Sequence, residues 1–309
     1  MEDHNVNTTV DVAVLFLIFN RPGTTALVFD QLRKAKPSRL YIAADGPRNK
    51  EDELKVKQCR EIVSHIDWEC EVKTKFSEIN LNCGKGPYEA IQWFFQHEEM
   101  GIILEDDCLP AISFFRYCKE LLDVYKTDTR VMMISGDNFV DGCSGDPDYS
   151  YYFSNFNLSW GWATWRRAWD LYDFTMKNYN EVLKKGYFDH VFINMLDKKY
   201  RLTKLQRTFD KGPNIDWWDY QWQYTLLTQS GYCIVPEVNL IKNIGFNAEA
   251  THTTNNLDKN GNVPTCEINF PLRHPRFVIR NVDEDKRLLN FFIKSKLKAR
   301  LSKIWPIGA

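Results

Sequence analysis

Gly101-Ile102-Ile103-Leu104 runs without a polar interruption into Glu105-Asp106-Asp107, and Cys108-Leu109-Pro110 then ends the pattern. An apolar run this short, entered at a glycine and closed by a proline, predicts a strand buried on both faces. Such strands belong to sheets covered by helices on either side, which makes the chain an α/β protein. The three acids fall at the carboxyl end of that strand, the edge of an open α/β sheet where ligands bind.

The rest of the chain agrees with this frame. Val12 to Phe19 is a second unbroken apolar run, stopped by Asn20-Arg21-Pro22-Gly23, with helical periodicity from about Thr24 to Ala35 and another strand at Arg39 to Ala44 that ends in Asp45-Gly46-Pro47. Strand, helix, strand at this spacing is a βαβ unit with parallel strands. Further helices are expected at Glu51 to His65, Pro87 to His97 and Phe114 to Tyr125, with strands at Cys70 to Phe76 and Val131 to Ser135. The expected architecture is a doubly wound, mostly parallel sheet with helices on both faces. Residues 1–140 would form a Rossmann-like, nucleotide-sugar-binding half and 141–280 an acceptor and catalytic half of the same domain; 281–309 would be a basic amphipathic C-terminal helix.

Three adjacent carboxylates repel one another unless a cation, a basic partner or water lies among them. Oxygen ligands suit Mg²⁺ or Mn²⁺, and such ions are commonly held by one or two carboxylates together with substrate phosphates. A metal–diphosphate site is therefore one reading of Glu105-Asp106-Asp107; a solvated loop that caps the next helix is the other. Net charge is −1, so there is no global basic field and nucleic acid is not expected as a partner. The eight cysteines lack metal-binding spacing, and several sit in apolar segments as small hydrophobes, so a reducing, cytoplasmic setting is the simpler expectation. No run of about 18 apolar residues occurs.

The second half is unusually aromatic. Ser159 to Asp170 contains four tryptophans, with Gly161 between Trp160 and Trp162, where a glycine lets backbone approach a ligand and the rings could flank a sugar. The alternative is that these rings only fill the core. Asp216 and Asp219 bracket Trp217-Trp218; on a helix start they would share one face, and either is a candidate general base in an aromatic-walled pocket or a plain N-cap. His252 sits on a loop and could complete a metal shell. From Leu288 to Trp305 apolar and basic residues alternate, which suits either docking on the domain or contact with an anionic membrane surface, such as the inner face of a cell membrane.

Five features in order, Phe19-Asn20-Arg21-Pro22, Ala44-Asp45-Gly46, Leu104-Glu105-Asp106-Asp107, Trp160-Gly161-Trp162 and Trp218-Asp219-Tyr220 followed by Val235-Pro236-Glu237, resemble the nucleotide-diphospho-sugar transferases of the GT-A fold, and within them the N-acetylglucosaminyltransferase I type. The resemblance implies that Arg21 and Asp45 contact the nucleotide, that Glu105 and Asp106 meet the sugar and ribose, and that Asp107 binds Mn²⁺ or Mg²⁺. It also implies that Trp160-Gly161-Trp162 closes around the donor sugar, and that Asp219 is the base. The family has two adjacent acids there, whereas Tyr220 follows Asp219, so Asp216 stays a competitor. His252 matches a histidine after the last strand. The implied reaction is inverting transfer from a UDP-sugar, with N-acetylglucosamine as the implied sugar, to a glycan or glycolipid hydroxyl. A sugar nucleotidyltransferase would be expected to carry a glycine-rich basic loop near the first strand, where Asn20-Arg21-Pro22-Gly23 offers one arginine and one glycine. A silent glycan-binding scaffold is the reading from outside the enzyme class.

Overall fold

The computed structural model describes residues 10–146, 148–245 and 263–304. Its ten strands are β1 (Val10–Ile18), β2 (Pro37–Ala44), β3 (Glu71–Phe76), β4 (Met100–Glu105), β5 (Cys108–Pro110), β6 (Val131–Ser135), β7 (Tyr151–Ser154), β8 (Trp162–Trp165), β9 (Tyr232–Pro236) and β10 (Ile241–Asn243). Among the described residues the nine α-helices are α1 (Pro22–Ala35), α2 (Lys50–Ile62), α3 (Asn82–His97), α4 (Ser113–Val124), α5 (Arg166–Trp169), α6 (Tyr179–Lys184), α7 (Met195–Lys211), α8 (Asp219–Thr228) and α9 (Val282–Ile304).

Eight strands form one sheet in the order β3-β2-β1-β4-β8-β6-β9-β7. The pairs β1–β2, β1–β4, β2–β3 and β6–β9 are parallel, while β8 is antiparallel to both its neighbours and β7 is antiparallel to β9, so six of the eight strands share a direction. This is the doubly wound, mostly parallel α/β class expected from the apolar runs. Strand periodicity explains the layers: Val12, Val14, Phe16 and Ile18 of β1 pack with α1, α2 and α4, whereas Ala13, Leu15 and Leu17 pack with α3, α5, α8 and α9. A third, smaller apolar cluster seats α6 and α7 against α8.

Several local expectations change. The Trp160 to Asp170 stretch is not a ligand turn throughout, because Trp162, Ala163, Thr164 and Trp165 form β8, buried between β4 and β6. Asp216 precedes α8, so it does not share a helix face with Asp219. Cys143 and Cys266, 123 residues apart in sequence, form a disulfide, which corrects the reading of all eight cysteines as reduced; Cys59, Cys108, Cys118 and Cys233 are free and buried as expected. The tail helix is docked: Leu288 and Leu289 are buried, and Phe291 stacks on Phe139 with centroids 5.9 Å apart. Burial of each leucine contributes roughly 1.5–3 kcal/mol. The apolar residues of this part of the tail thus cover the protein's own sheet. Among the described residues no helix is long and apolar enough to cross a membrane.

Candidate active site

Because β1, β2 and β4 run parallel and in register, with Leu17 opposite Ala43 and Glu105, their carboxyl ends deliver Arg21, Asp45 and the acid triplet to one edge of the sheet. A cavity of about 1210 Å³ opens there. Its other walls come from Trp160, from the Asp216 to Tyr220 segment and from α7 and α9. Arg21, Asp45, Glu105, Asp106, Asp107, Trp160, Asp216 and Asp219, which span nearly 200 positions of sequence, therefore line a single space.

The three acids have different surroundings. Asp107 is paired with Arg21 at 2.7 Å, and the cation is held in place because Arg21 is the residue before Pro22, the first residue of α1. Asp106 is buried and turned inward: one of its oxygens accepts from the Phe19 backbone N–H at 3.0 Å and from the Thr25 hydroxyl at 3.4 Å. It thus ties the end of β4 to the end of β1 as well as facing the cavity. Burial, with Asp107 beside it, raises its carboxyl well above the ordinary aspartate range. Glu105 is likewise raised, by burial and by the fields of Asp107, Asp106 and Asp219. Among the described residues, the ion-pair partner of these three crowded acids is Arg21.

The backbone opposite Asp107 comes from β10, which pairs antiparallel with β5. The Ile244 N–H donates to the Asp107 carbonyl at 2.8 Å, and the chain then passes so close that a Cβ on Gly245 would lie 2.3 Å from an Asp107 oxygen and 2.9 Å from Arg21 Nη1. A side chain there would have to displace Asp107 and Arg21. His252 lies outside the described residues.

Asp45 lines the cavity, but its carboxylate is largely engaged by its own loop, accepting from the Gly46 and Leu81 N–H groups at 2.8 and 2.9 Å and from Asn80 Nδ2 at 3.0 Å. It fixes the turn into α3. Trp160 faces the cavity and Trp162 does not: Trp162 is 1% exposed and stacks on Trp218 at 5.3 Å in the core. Trp162 is the first residue of β8 and packs with Trp218 and Trp222 of the α8 layer, whereas Trp160 lies before the strand, on the far side of the Gly161 turn. Gly161 has φ +65°, and a Cβ there would meet Ile241 Cδ1 at 2.5 Å, so the turn that presents Trp160 requires glycine.

Some contributing residues carried no sequence signal. Asp137, fully buried after β6, accepts from the Trp160 N–H at 2.9 Å with one oxygen, while its other oxygen has no partner among the described residues. Burial raises its carboxyl far above the usual range, and the Trp160 N–H it accepts from fixes the Trp160 turn. Asp52, at the start of α2, accepts from Arg48 Nε at 2.6 Å and from Asn20 Nδ2 at 2.5 Å, joining two loops of the crevice. The Arg48 hydrogen bond holds the Asp52 carboxyl at about 2. A depressed folded-state value adds stability that is complete above the ordinary aspartate value and is lost as pH falls toward 2. Between about pH 4 and 2, Asp52→Asn is expected to lose less stability than the parent chain, as measured by urea unfolding at each pH.

Comparison with known proteins adds little. No family model matches the chain, and no curated protein matches it in sequence. Among solved structures, it is similar to a 4-diphosphocytidyl-2C-methyl-D-erythritol synthase from Anaerococcus prevotii, with 9% identity, 55% of this chain and 77% of that one covered, and a TM-score of 0.34. A UDP-glucose pyrophosphorylase complexed with UDP-glucose has 10% identity, 48% and 64% coverage, and a TM-score of 0.27. Mouse xyloside xylosyltransferase 1 has 12% identity, 71% and 81% coverage, and a TM-score of 0.33. With every TM-score below 0.5, these likenesses assign neither activity nor substrate to this chain.

Proposed function

We propose that the chain is a metal-dependent glycosyltransferase that moves a sugar from a nucleotide-diphosphate donor, a UDP-sugar, to a glycan hydroxyl with inversion at the anomeric carbon. The observation that carries this reading is the convergence of Arg21, Asp107, Trp160 and Asp219 on one cavity at the carboxyl edge of a parallel sheet. Among the described residues there is no cluster of three or more His, Cys, Asp or Glu side chains that could hold a metal by itself. The donor set does fit an ion shared with substrate, which needs one or two carboxylates and takes its other ligands from phosphate oxygens and water. Asp107 would hold Mn²⁺ or Mg²⁺, and Arg21, already against Asp107, would turn its guanidinium to the diphosphate. The ion, when bound, supplies Lewis-acid stabilisation of the leaving diphosphate.

The remaining work falls to the chain. Trp160 offers a ring to the donor sugar, positioned by Asp137 through its backbone N–H. Asp219, the first residue of α8, takes the proton of the acceptor hydroxyl as it attacks. Asp219 is favoured over Asp216 because its field reaches Glu105 in the acid cluster, whereas Asp216 sits 3.8 Å from Lys211 with its side chain half exposed. Calorimetric titration of UDP and of GDP, with and without Mn²⁺, tests the reading. UDP binding that requires metal supports it, and absence of nucleotide binding under both conditions removes it. Gly245→Ala, whose Cβ would push Asp107 and Arg21 apart, is expected to weaken metal-dependent UDP binding by about tenfold, roughly 1.4 kcal/mol, in the same titration.

A further inference from the structure

We infer that the acceptor carries an oxyanion close to the hydroxyl that reacts, and that Lys204 and Arg207 recognise it. This rests on the transferase reading and specifies the acceptor class for the same cavity. The observation is a cationic wall on the side of the cavity away from the sheet edge. Lys204 and Arg207 are three apart on α7, so they project from one face of the helix, and both line the cavity, as does Lys296 of α9. The Lys204 ammonium lies 4.9 Å from the centroid of Tyr220 and 4.5 Å from that of Tyr200, and the Arg207 guanidinium lies 5.1 Å from that of Trp217. Trp217 is itself fixed, since its indole N–H donates to Thr208 of the same helix at 3.0 Å.

Among the described residues, neither Lys204 nor Arg207 makes an ion pair with a carboxylate, although Asp216 and Asp219 line the same cavity. The rings direct the two cations without neutralising them. Such a wall suits a saccharide ring against the aromatic face with a carboxylate or phosphate against the cations, and Arg207 offers the planar fork that matches either group. A neutral sugar would leave both cations without an anion, whereas an acidic one would pair with them, so the wall favours acidic acceptors over neutral ones. The donor diphosphate is the other oxyanion that could reach this cavity, and it differs in needing Asp107 and a divalent ion.

The test uses the full chain with UDP and Mn²⁺ present. Three probes are titrated in turn: the neutral tetramer of N-acetylglucosamine, a tetrasaccharide alternating glucuronate with N-acetylglucosamine, and a glycerol-phosphate oligomer. At least one acidic probe is expected to bind tenfold or more tightly than the neutral one, and whichever it is distinguishes carboxylate from phosphate. Lys204→Gln with Arg207→Gln is expected to remove that preference at an unchanged melting temperature, and raising the salt concentration to erode it in the parent chain. Equal binding of acidic and neutral probes, or binding of neither, overturns the inference, as does a double variant that loses UDP binding and keeps the acidic preference. Absence of UDP binding by the parent chain removes the transferase reading instead, and a surviving acidic preference would then belong to a glycan-binding protein.

Discussion

Asp107→Ala is expected to abolish metal-dependent UDP binding and to lower sugar transfer by about 10³-fold, which corresponds to about 4 kcal/mol of lost transition-state stabilisation. The expectation follows from the division of labour among the acids. Asp106 is spent on Phe19 and Thr25, so Asp107 is the acid whose carboxylate meets a cation, the Arg21 guanidinium. Removing it also relieves repulsion in the cluster, so the melting temperature should hold or rise. Transfer assays, UDP titration and thermal melts on the same preparation check this. A variant that keeps metal-dependent turnover would displace Asp107 from the site, and one that simply unfolds would make it a structural acid.

Arg201→Met is expected to cost about 3–5 kcal/mol of folding free energy and to lower the melting temperature by about 10 °C. Arg201 is 3% exposed and forks onto Asp197, itself fully buried, at 2.8 and 3.1 Å. Its third nitrogen donates to the Asn155 carbonyl oxygen at 2.8 Å, and its guanidinium lies 3.7 Å from the Phe156 ring centroid. Methionine fills much of the volume but strands the Asp197 charge in the interior, left with the N–H of Ile193, four residues earlier, at 3.0 Å. A double variant with Asp197→Leu should recover much of the loss, because removing both partners is far cheaper than removing one. Denaturant unfolding of the parent, both single variants and the double variant gives the coupling directly. The consequence reaches the site, since Arg201 anchors the helix that carries Lys204 and Arg207.

The parallel strands were readable from the chain because strands covered on both faces lose polar alternation: β1, β2, β4 and β6 are each nearly continuous apolar runs. The same logic hid β8. Its Trp162-Ala163-Thr164-Trp165 is too short and too aromatic for periodicity to separate a buried strand from a ligand turn, and only the pairing with β4 and β6 decides it. Arg21 and the acids were legible as strand-end residues, whereas Asp137 was not, because nothing local marks an aspartate whose partner is the backbone of Trp160, 23 residues away. The Cys143–Cys266 bond escaped for a similar reason, since spacing is informative only when partners are near in sequence. The tail shows the opposite case: its alternating pattern was plain, but what the apolar residues would cover became clear only with Phe139 in place beneath Phe291.

The position of β8 bears on how the chain folds. Strands β1 to β4 form a self-contained block built from the first 105 residues, yet the outer edge of β4 is closed by a strand made of residues 162–165. A growing chain therefore has a nearly complete half-sheet with an open hydrophobic margin until some 60 further residues have been made, and β6, made earlier than β8, must wait for it as well. Unpaired edges of this kind are where chains aggregate or exchange strands. Insertion of β8 is thus the late, long-range event on which completion of the sheet depends, and refolding yield should be more sensitive to changes in the Trp162–Trp165 strand than to equally buried changes in β2.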